Sequence, residues 1–464
     1  MPNDPLINRT EEVARLTQLW SVARAGKPQL AVVWGRRRSG KTFLLSHYTQ
    51  DKRCIFFPAT RQAEGVELRR FGETIRRHLG DRIGDLAAAG FSDWEKALRF
   101  VASLAENEPL IVVMDEVPYL ARSSPGFASI VQSVWDHLRT GTKLLLVLTG
   151  SAIGTMREML GPGGALRGRP ALQMRLELLD PAQARLFLPR LVPTAFCEAY
   201  AACGGYPLHL RSWDQGQSTL RNLRRLAFTP GGLLLEDAGG ILAEELPEKG
   251  GYQRILSAIG RGRTRHSEIS GEAEQRIDHP LEVLVRSGFV SKEAPIGAPK
   301  GVRPTYRLSD PYLTFWFRVL YSERSLIEGG QGLAVEKRTA PRWQGHLGHT
   351  FESMARAHAG RLVASGVWPS DMIVGRWWSQ KGKDCEIDVL GLRSKRTALV
   401  GEVRWQTSPL GGRELAQLRA KLSHAPRPVE EPILALWGRS GGTEAARRAG
   451  ATLFGADDVV DGLA

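Results

Sequence analysis

The sequence predicts an α/β protein whose N-terminal part is a parallel sheet with helices on both faces. Short apolar runs alternate with amphipathic stretches through residues 1–180, which is the pattern of successive strand–helix units. The segment 35-GRRRSGKT-42 joins one apolar run to a helical pattern. A hydrophobic content of 42% and a charged content of 24% indicate a globular chain, and its 464 residues suffice for roughly three domains.

The predicted sheet of the N-terminal part uses the apolar runs as strands. The strand candidates are residues 29–34, 54–59, 110–115 and 143–150. Helical patterns lie between them, for example over residues 12–24 and 127–140. Residues 181–245 are mostly helical in pattern, so we expect the sheet to end near residue 180.

The next segment, residues 246–325, reads as three short helices followed by a hairpin. We expect helices over 252–260, 267–274 and 278–288 and a hairpin over 289–309. This order is typical of a winged helix, a variant of the helix-turn-helix. The aromatic segment that follows, 310-DPYLTFWFRVLY-321, is expected to pack in a core rather than to stack on bases.

A second, smaller α/β region is predicted for residues 326–464, and the glycine-rich break 329-GGQG-332 marks its boundary. A helical pattern over 347–365 precedes apolar strand candidates. The predicted strands are residues 373–379, 385–392, 398–405 and 432–438. A predicted helix over residues 413–425 lies between the last two strands.

The strongest motif is the glycine-rich segment, which fits the P-loop pattern GxxxxGK[ST] in its required strand–loop–helix context. Its glycines allow backbone N–H groups to surround phosphates, and the following helix N-terminus adds partial positive charge. Lys41 is expected to reach the β- and γ-phosphates, and the Thr42 hydroxyl to bind Mg²⁺. The predicted nucleotide-binding residues are Gly35, Arg36, Arg37, Arg38, Ser39, Gly40, Lys41 and Thr42.

Polar residues at the ends of two other strand candidates extend this predicted site. Asp115 is placed to hold Mg²⁺, and Glu116 to polarise the attacking water as a general base. Thr149 and Ser151 either sense the γ-phosphate or only cap a turn. Arg169 either neutralises charge in the transition state, within the chain or from a neighbouring subunit, or is a solvated surface arginine.

Taken in order, 6-LINRTEEVARL-16, the P-loop, VVMDEVPYL, LTGSA, LRGR and 204-GGYPLHL-210 resemble the prokaryotic ATPases of the STAND and AAA-like P-loop class. The resemblance implies ATP as the nucleotide and residues around Asn8, Arg9 and Glu12 near the adenine. It also implies a helical lid over residues 181–245, with Pro207 near the nucleotide. One arrangement in this class joins a winged helix to a nuclease-like C-terminal domain.

Two acids of the C-terminal region form a second candidate site. Asp388 and Glu402 lie on neighbouring strand candidates, so both can approach one Mg²⁺ or Mn²⁺ ion that activates water for phosphodiester cleavage. With Glu352 on the preceding helix, they resemble the PD-(D/E)xK nuclease core. The lysine of that pattern is replaced by Arg404, which cannot release a proton at working pH. Two alternatives stay open: an active nuclease, or a retired fold whose acids form salt bridges.

The charge balance favours an acidic partner, most simply DNA. The chain has 63 Lys and Arg against 49 Asp and Glu, a net charge of +14. The expected phosphate contacts of the winged helix are Arg261, Arg263, Arg265 and His266, with Lys300 and Arg303 on the wing. The alternative is a winged helix used only for packing or for contacts in a homo-oligomer.

Composition also bears on the compartment. The four cysteines are scattered without CxxC spacing, and no apolar run approaches the ~20 residues of a membrane span. We therefore expect a cytoplasmic protein. Three functional hypotheses remain: an ATPase coupled to DNA processing, a nucleotide-controlled switch that binds DNA or protein without cutting, and an oligomeric signalling regulator without nucleic acid.

Overall fold

A computed structural model of the chain describes residues 5–79, 90–246, 251–298, 302–379 and 385–462. The chain forms two compact units. The first comprises Met1–Leu178 and Ile241–Glu245, and the second comprises Leu179–Gly240 and Leu246–Ala464. The finer division into four domains, with boundaries after residues 180, 245 and 325, stays a prediction.

The first unit is built on a parallel five-stranded sheet, as the sequence predicts. The strands are Gln29–Trp34 (β1), Cys54–Pro58 (β2), Leu110–Asp115 (β3), Leu144–Gly150 (β4) and Leu172–Arg175 (β5). Their order in the sheet is β2-β3-β4-β1-β5, and every neighbouring pair is parallel. Strand β5 is four residues long and was not among the strand candidates.

Helices cover both faces of this sheet, because alternate strand residues belong to two separate apolar layers. Leu30 and Val32 pack into one layer, whereas Ala31 and Val33 pack into the other. A strand buried on both faces reads as a continuous apolar run, which is why these strands could be predicted. The helices of the first unit are Thr10–Arg24, Lys41–Thr49, Glu64–Leu79, Trp94–Asn107, Val117–Ser123, Phe127–Asp136 and Ile153–Leu160.

The second unit begins with a run of helices. The helix Leu233–Glu245 ends in the five residues that belong to the first unit. Three further helices precede a two-stranded antiparallel hairpin of Val290–Glu293 (β6) and Thr305–Leu308 (β7), in the order expected for residues 246–325. The helices are Pro181–Arg185, Pro193–Cys203, Pro207–Ser212, Thr219–Leu226, Leu233–Glu245, Tyr252–Gly260, His266–Ala273 and Asp278–Arg286.

Helical structure continues through the glycine-rich segment that was expected to separate two domains. Gly330 alone adopts a left-handed conformation (φ +81°) within a short π-helical segment, and the helix Gly332–Ala364 follows directly. No boundary between the two compact units falls there. The aromatic side chains of Tyr312, Phe315 and Trp316 are buried, as expected for core packing. The short helical segments before the long helix are Pro311–Phe315, Trp316–Leu320, Tyr321–Glu323, Arg324–Leu326 and Ile327–Gln331.

The C-terminal part of the second unit contains a mixed sheet in the order β12-β11-β10-β9-β8, in which β8, β9 and β10 are antiparallel and β10, β11 and β12 are parallel. Within the described parts of the chain, no helix is long and apolar enough to cross a membrane. The strands are Ile373–Trp378 (β8), Glu386–Arg393 (β9), Arg396–Arg404 (β10), Pro428–Gly438 (β11) and Ala451–Phe454 (β12). The remaining helices are Gly412–Leu422, Glu444–Arg448 and Ala456–Asp461.

Candidate functional site

The P-loop of the first unit connects β1 to the helix Lys41–Thr49, and its path requires glycine at both ends. Gly35 and Gly40 have φ values of +151° and +95°, which L side chains rarely adopt. A Cβ at Gly35 would also lie 2.3 Å from the carbonyl oxygen of Leu176. The loop therefore has the backbone path that the motif predicts.

The Lys41 side chain is buried and turned into the loop. Its Nζ donates hydrogen bonds to the carbonyl oxygens of Gly35 (2.8 Å) and Arg36 (3.1 Å). Burial lowers the pKa of Lys41, and the nearby carboxylates of Glu116 and Asp115 oppose that shift. A buried ammonium group that donates its hydrogen bonds to carbonyl oxygens is suited to bind a phosphate anion in their place.

The carboxylate of Asp115, at the end of β3, contacts the start of the helix Lys41–Thr49 and the end of β4. Its Oδ2 accepts a hydrogen bond from the Thr42 hydroxyl (2.7 Å), and its Oδ1 accepts one from the Thr149 hydroxyl (2.5 Å). The carboxylate is buried and bound to neutral donors. Thr42 and Asp115 thus place two hard oxygen ligands side by side, which fits Mg²⁺.

Glu116 follows in a left-handed backbone conformation (φ 57°, ψ 46°). This conformation costs a non-glycine residue about 1 kcal/mol, and such strain clusters at functional sites. Its Oε2 accepts hydrogen bonds from the backbone N–H (3.0 Å) and the hydroxyl (2.8 Å) of Ser151. Thr149 and Ser151 therefore bind the two acids, a role different from the two alternatives of the sequence analysis, γ-phosphate sensing and turn capping.

The N-terminal segment reaches the P-loop through Arg9, which is 6% exposed. Its guanidinium donates to the carbonyl oxygen of Glu177 (2.7 Å), to Glu12 (2.8 Å) and, more weakly, to the carbonyl oxygen of Ser39 (3.5 Å). The hydroxyl of Ser39 is buried and has no hydrogen-bond partner among the described residues. A bound phosphate group would satisfy such a donor.

Two acids that the sequence did not single out lie beside the P-loop arginines. Glu244 accepts from Arg37 (3.1 Å) and Arg61 (3.0 Å) and from the hydroxyl of Tyr119. The carboxylate of Glu245 lies 3.9 Å from the Arg36 guanidinium. No local motif marks these acids, because they follow the P-loop by about two hundred residues.

The two carboxyl groups differ in pKa. Burial raises the pKa of Glu245 to about 7, against the opposing effect of Arg36 and Lys41. Burial would also raise the pKa of Glu244, but the hydrogen bond from Tyr119 and the nearby arginines lower it below its usual value. Glu244 is therefore ionised at neutral pH, whereas Glu245 titrates near it.

The remaining candidates for the nucleotide site lie as follows. Arg169 forms a bidentate ion pair with Asp136 (2.9 and 2.7 Å), so its guanidinium is already neutralised. Arg38 is exposed on the loop with a φ of +68°. Pro207 is the first residue of the helix Pro207–Ser212 in the second unit, after a glycine pair in which a Cβ at Gly205 would lie 2.0 Å from the Leu179 carbonyl oxygen.

The acids of the C-terminal sheet are bound by cations. Glu402, whose side chain is 1% exposed, forms ion pairs with Arg404 and with Lys421 (2.5 Å). Asp388 accepts from the backbone N–H of Val403 (2.9 Å) and lies 3.7 Å from Arg404. Lys421 lies on the helix Gly412–Leu422 and was missed, because nothing in its local sequence links it to β10.

Glu352 is the third acid of this cluster and lies on the long helix. Burial would raise its pKa, but His349, at 3.6 Å, and Arg356 lower it. Burial and the charges of Glu352 and Glu402 raise the pKa of Asp388. In the parts of the chain that the structure describes, no three His, Cys, Asp or Glu side chains are arranged to hold a metal ion. Arg404 pairs with Glu402 and approaches Asp388, and the metal site expected of the three acids stays a prediction.

The cationic residues expected to contact DNA are partly paired with acids. Arg263 lies 2.6 Å and Arg261 3.5 Å from Glu272, and Arg265 lies 4.0 Å from Glu268. His266 lies 3.2 Å from Asp278. These side chains are about half exposed or more, so the pairs are weak and can exchange for phosphates. Lys300 of the expected wing lies outside the described residues.

Comparison with known families identifies two segments. Residues 6–212 match an ATPase domain found predominantly in Archaea. This segment of the chain contains the P-loop, the paired acids at the end of β3 and the hydroxyls after β4. Residues 316–417 match a family described as archaeal and bacterial proteins of unknown function.

Individual proteins are also similar to this chain. An uncharacterised protein of Methanocaldococcus jannaschii is 25% identical over 412 residues, which cover 86% of this chain and 87% of the relative. A Walker-type ATPase of Pyrococcus abyssi is 20% identical, with a TM-score of 0.52 over 68% of this chain and 96% of that structure. An ORC2 protein of Aeropyrum pernix is similar at 15% identity and a TM-score of 0.43, over 72% and 96% of the two chains. With the ATPase domain matched around an intact P-loop, the protein is an enzyme, a P-loop ATPase.

Proposed function

We propose that Glu116 is the general base of ATP hydrolysis and that the ATPase cycle controls DNA binding by the second unit. The observation that carries the catalytic part is the pair of acids at the end of β3. Asp115 and Glu116 are held by hydroxyl and backbone donors and form no ion pair within the described residues. An acid in such surroundings remains free to bind a metal ion or to accept a proton from water.

Each residue of the site has a distinct part in this proposal. Lys41 leaves the loop carbonyls and binds the β- and γ-phosphates, while the backbone N–H groups between Gly35 and Gly40 surround them. Thr42 and Asp115 would hold Mg²⁺, which supplies positive charge to the phosphate oxygens when bound. Glu116 accepts the proton of the attacking water, and Ser151 orients its carboxylate.

Replacement of the lysine and of the base tests this assignment. We expect Lys41→Ala to abolish ATP-dependent phosphate release, because both phosphate binding and charge neutralisation are lost. Glu116→Gln should keep ATP binding and lose turnover by about a hundredfold, the usual contribution of a general base. Exposed Lys27→Ala is the matched control. Unchanged hydrolysis in the Lys41 and Glu116 variants would refute the assignment.

DNA is the proposed partner of the second unit. The three helices Tyr252–Gly260, His266–Ala273 and Asp278–Arg286 and the hairpin β6–β7 have the element order of a winged helix. Cationic side chains lie at the start of the second helix, and their weak acid pairs leave them available to phosphates. The finer membership in the STAND class, a cytoplasmic location and a homo-oligomeric state belong to the same proposal.

Salt dependence tests the DNA part directly. Phosphate contacts release counterions, so the affinity for duplex DNA should fall steeply as salt rises. Arg263→Ala together with Arg265→Ala should flatten that slope, whereas the exposed control Lys337→Ala should not. Weak binding that does not respond to salt would favour the oligomeric regulator without nucleic acid.

The C-terminal carboxylate cluster favours a DNA-binding switch over a nuclease. Arg404 and Lys421 neutralise Glu402, and Arg404 also approaches Asp388. A metal ion would have to displace these cations. We expect no nicking of plasmid DNA with Mn²⁺ and ATP; nicking that is lost in Asp388→Ala would instead establish the nuclease, with Lys421 as the lysine that the motif lacks.

A further inference from the structure

The second unit contains a cavity of about 480 Å³ whose lining includes His349 and Arg356, both close to Glu352 of the C-terminal acid cluster. It lies between the hairpin β6–β7, the segment that follows the hairpin and the long helix Gly332–Ala364. A volume of this size is within the range of pockets that bind small organic ligands.

Three arginines from three different elements line this cavity. Arg307 lies on β7, Arg318 on the segment Trp316–Leu320, and Arg356 on the long helix. Burial lowers the pKa of all three guanidinium groups. Each therefore carries a desolvation cost that a counter-charge must offset.

The protein supplies few partners for two of these cations. Arg318 has no hydrogen bond and no ion pair with any residue that the structure describes. The guanidinium of Arg307 has no hydrogen bond within the same residues, and its nearest carboxylate, that of Glu293, is 3.8 Å away. Arg356 is better satisfied, since it donates to the Asp388 carbonyl oxygen and to the Ser353 hydroxyl, both at 3.1 Å.

Several acids act on these arginines, but within the described residues none of them forms a hydrogen bond with the guanidinium of Arg307 or Arg318. Glu293 lies 3.8 Å from both Arg307 and Arg376. Glu352 acts electrostatically on all three arginines, Glu293 also on Arg356, Glu386 on Arg307 and Asp388 on Arg356.

The remaining titratable groups of the lining are Asp310, His346 and His349. The carboxylate of Asp310 accepts from the Leu313 backbone N–H (2.8 Å) and the Tyr206 hydroxyl (3.4 Å). His349 faces Glu352, and burial lowers the pKa of His346 to about 3, which keeps that ring neutral. The guanidinium groups of Arg318 and Arg307, which have no hydrogen bond among the described residues, can therefore bind an anion that enters the cavity.

The size and the rest of the lining define the class of anion. A sphere of about 480 Å³ is about 10 Å across. The major groove of DNA alone is ~12 Å wide, and the whole duplex is wider, so a duplex cannot enter the cavity. Inorganic phosphate would leave most of the space empty. Hydroxyls of Thr264, Thr314 and Thr350 and apolar side chains such as Ile259 and Met354 line the remainder. This mixture suits the hydroxylated organic part of a ligand.

We propose that this cavity binds a small organic phosphate, of the size of a phosphorylated sugar or a nucleoside monophosphate, with Arg318 and Arg307 as its phosphate ligands. The site is separate from the P-loop and does not depend on the proposed control of DNA binding. It gives the second unit a ligand of its own.

Calorimetry on the full chain tests this proposal. Lys41→Ala is used as the background, so that phosphate binding at the P-loop does not contribute. The probes are inorganic phosphate, ribose 5-phosphate and AMP. We expect one equivalent to bind, with the organic phosphates tighter than inorganic phosphate. Arg318→Met should weaken binding at least tenfold, as expected for loss of a charge-assisted contact. Arg448→Met, whose side chain is 79% exposed, is the control.

Three results would overturn the proposal. The first is absence of heat with all three probes at high millimolar concentration in low salt, from protein with a normal thermal transition. The second is equal binding by the Arg318→Met and Arg448→Met proteins. The third is binding of a 5′-phosphorylated single strand that depends on Arg318 while the small probes fail, which would assign the cavity to a DNA end.

Discussion

The two units both place a pair of acids on neighbouring chain elements, but they surround these acids differently. In the first unit, hydroxyls and backbone N–H groups hold Asp115 and Glu116. In the second, Arg404 and Lys421 hold Glu402, and Arg404 approaches Asp388. Neutral donors orient a carboxylate and leave its charge available, whereas cations neutralise it. We therefore propose metal and proton chemistry for the acids of the first unit and a structural role for those of the second.

The largest expected effect is the difference in ATP turnover between variants of Asp115 and of Asp388. Asp115→Asn should lower the turnover of ATP by about a hundredfold or more, because an amide is a poor ligand for Mg²⁺ beside Thr42. Asp388→Asn should leave ATP turnover unchanged. Phosphate release by the two purified variants measures the difference, and a comparable loss in both would show that the two clusters are not functionally distinct.

An intermediate effect concerns stability of the second unit. Lys421→Met leaves the buried carboxylate of Glu402 with Arg404 as its remaining cation, so we expect a loss of about 1–3 kcal/mol in the free energy of unfolding. Urea denaturation measures it, with exposed Lys337→Met as the control. A loss no larger than that of the control would mean that Glu402 is not held by its ion pairs.

The smallest expected effect concerns Glu245 of the first unit. Unlike Asp115 and Glu116, this acid lies beside a cation, the guanidinium of Arg36. Because its pKa is raised to about 7, it is neutral at lower pH and gains a negative charge near Lys41 as the pH rises through that value. ATP affinity should therefore fall by about three- to tenfold more in the wild type than in Glu245→Gln between about pH 6 and pH 8. The titration of ATP itself is common to both proteins, so identical pH profiles would exclude the effect.

The sequence indicated those parts of the fold that depend on contiguous residues. The P-loop and the end of β3 were recognisable because a strand, a tight turn and a helix follow one another along the chain. The short strand Leu172–Arg175 escaped notice, since only two of its four residues are buried. Glu244 and Glu245 could not be linked to Arg36 and Arg37, because their proximity depends on the return of a distant helix.

The C-terminal acids are a second case in which the strands could be predicted but contacts with distant residues could not. Their position on neighbouring strands was predictable from the alternation of apolar and acidic residues in 385-CEIDVLGL-392 and 398-ALVGEVRW-405. Which side chains would neutralise them was not, because Lys421 reaches Glu402 from a helix nineteen positions later. Of the two alternatives that the sequence left open, the ion pairs around Glu402 are those expected of the retired fold.

The assignment of Ile241–Glu245 to the first unit has a practical consequence. A polypeptide ended at residue 178 would keep every P-loop residue yet lack the carboxylate that binds Arg37, Arg61 and Tyr119. Such a truncated ATPase would expose unmatched guanidinium groups next to its nucleotide site and attract anions indiscriminately. Biochemical work on isolated pieces should therefore retain the chain through residue 245.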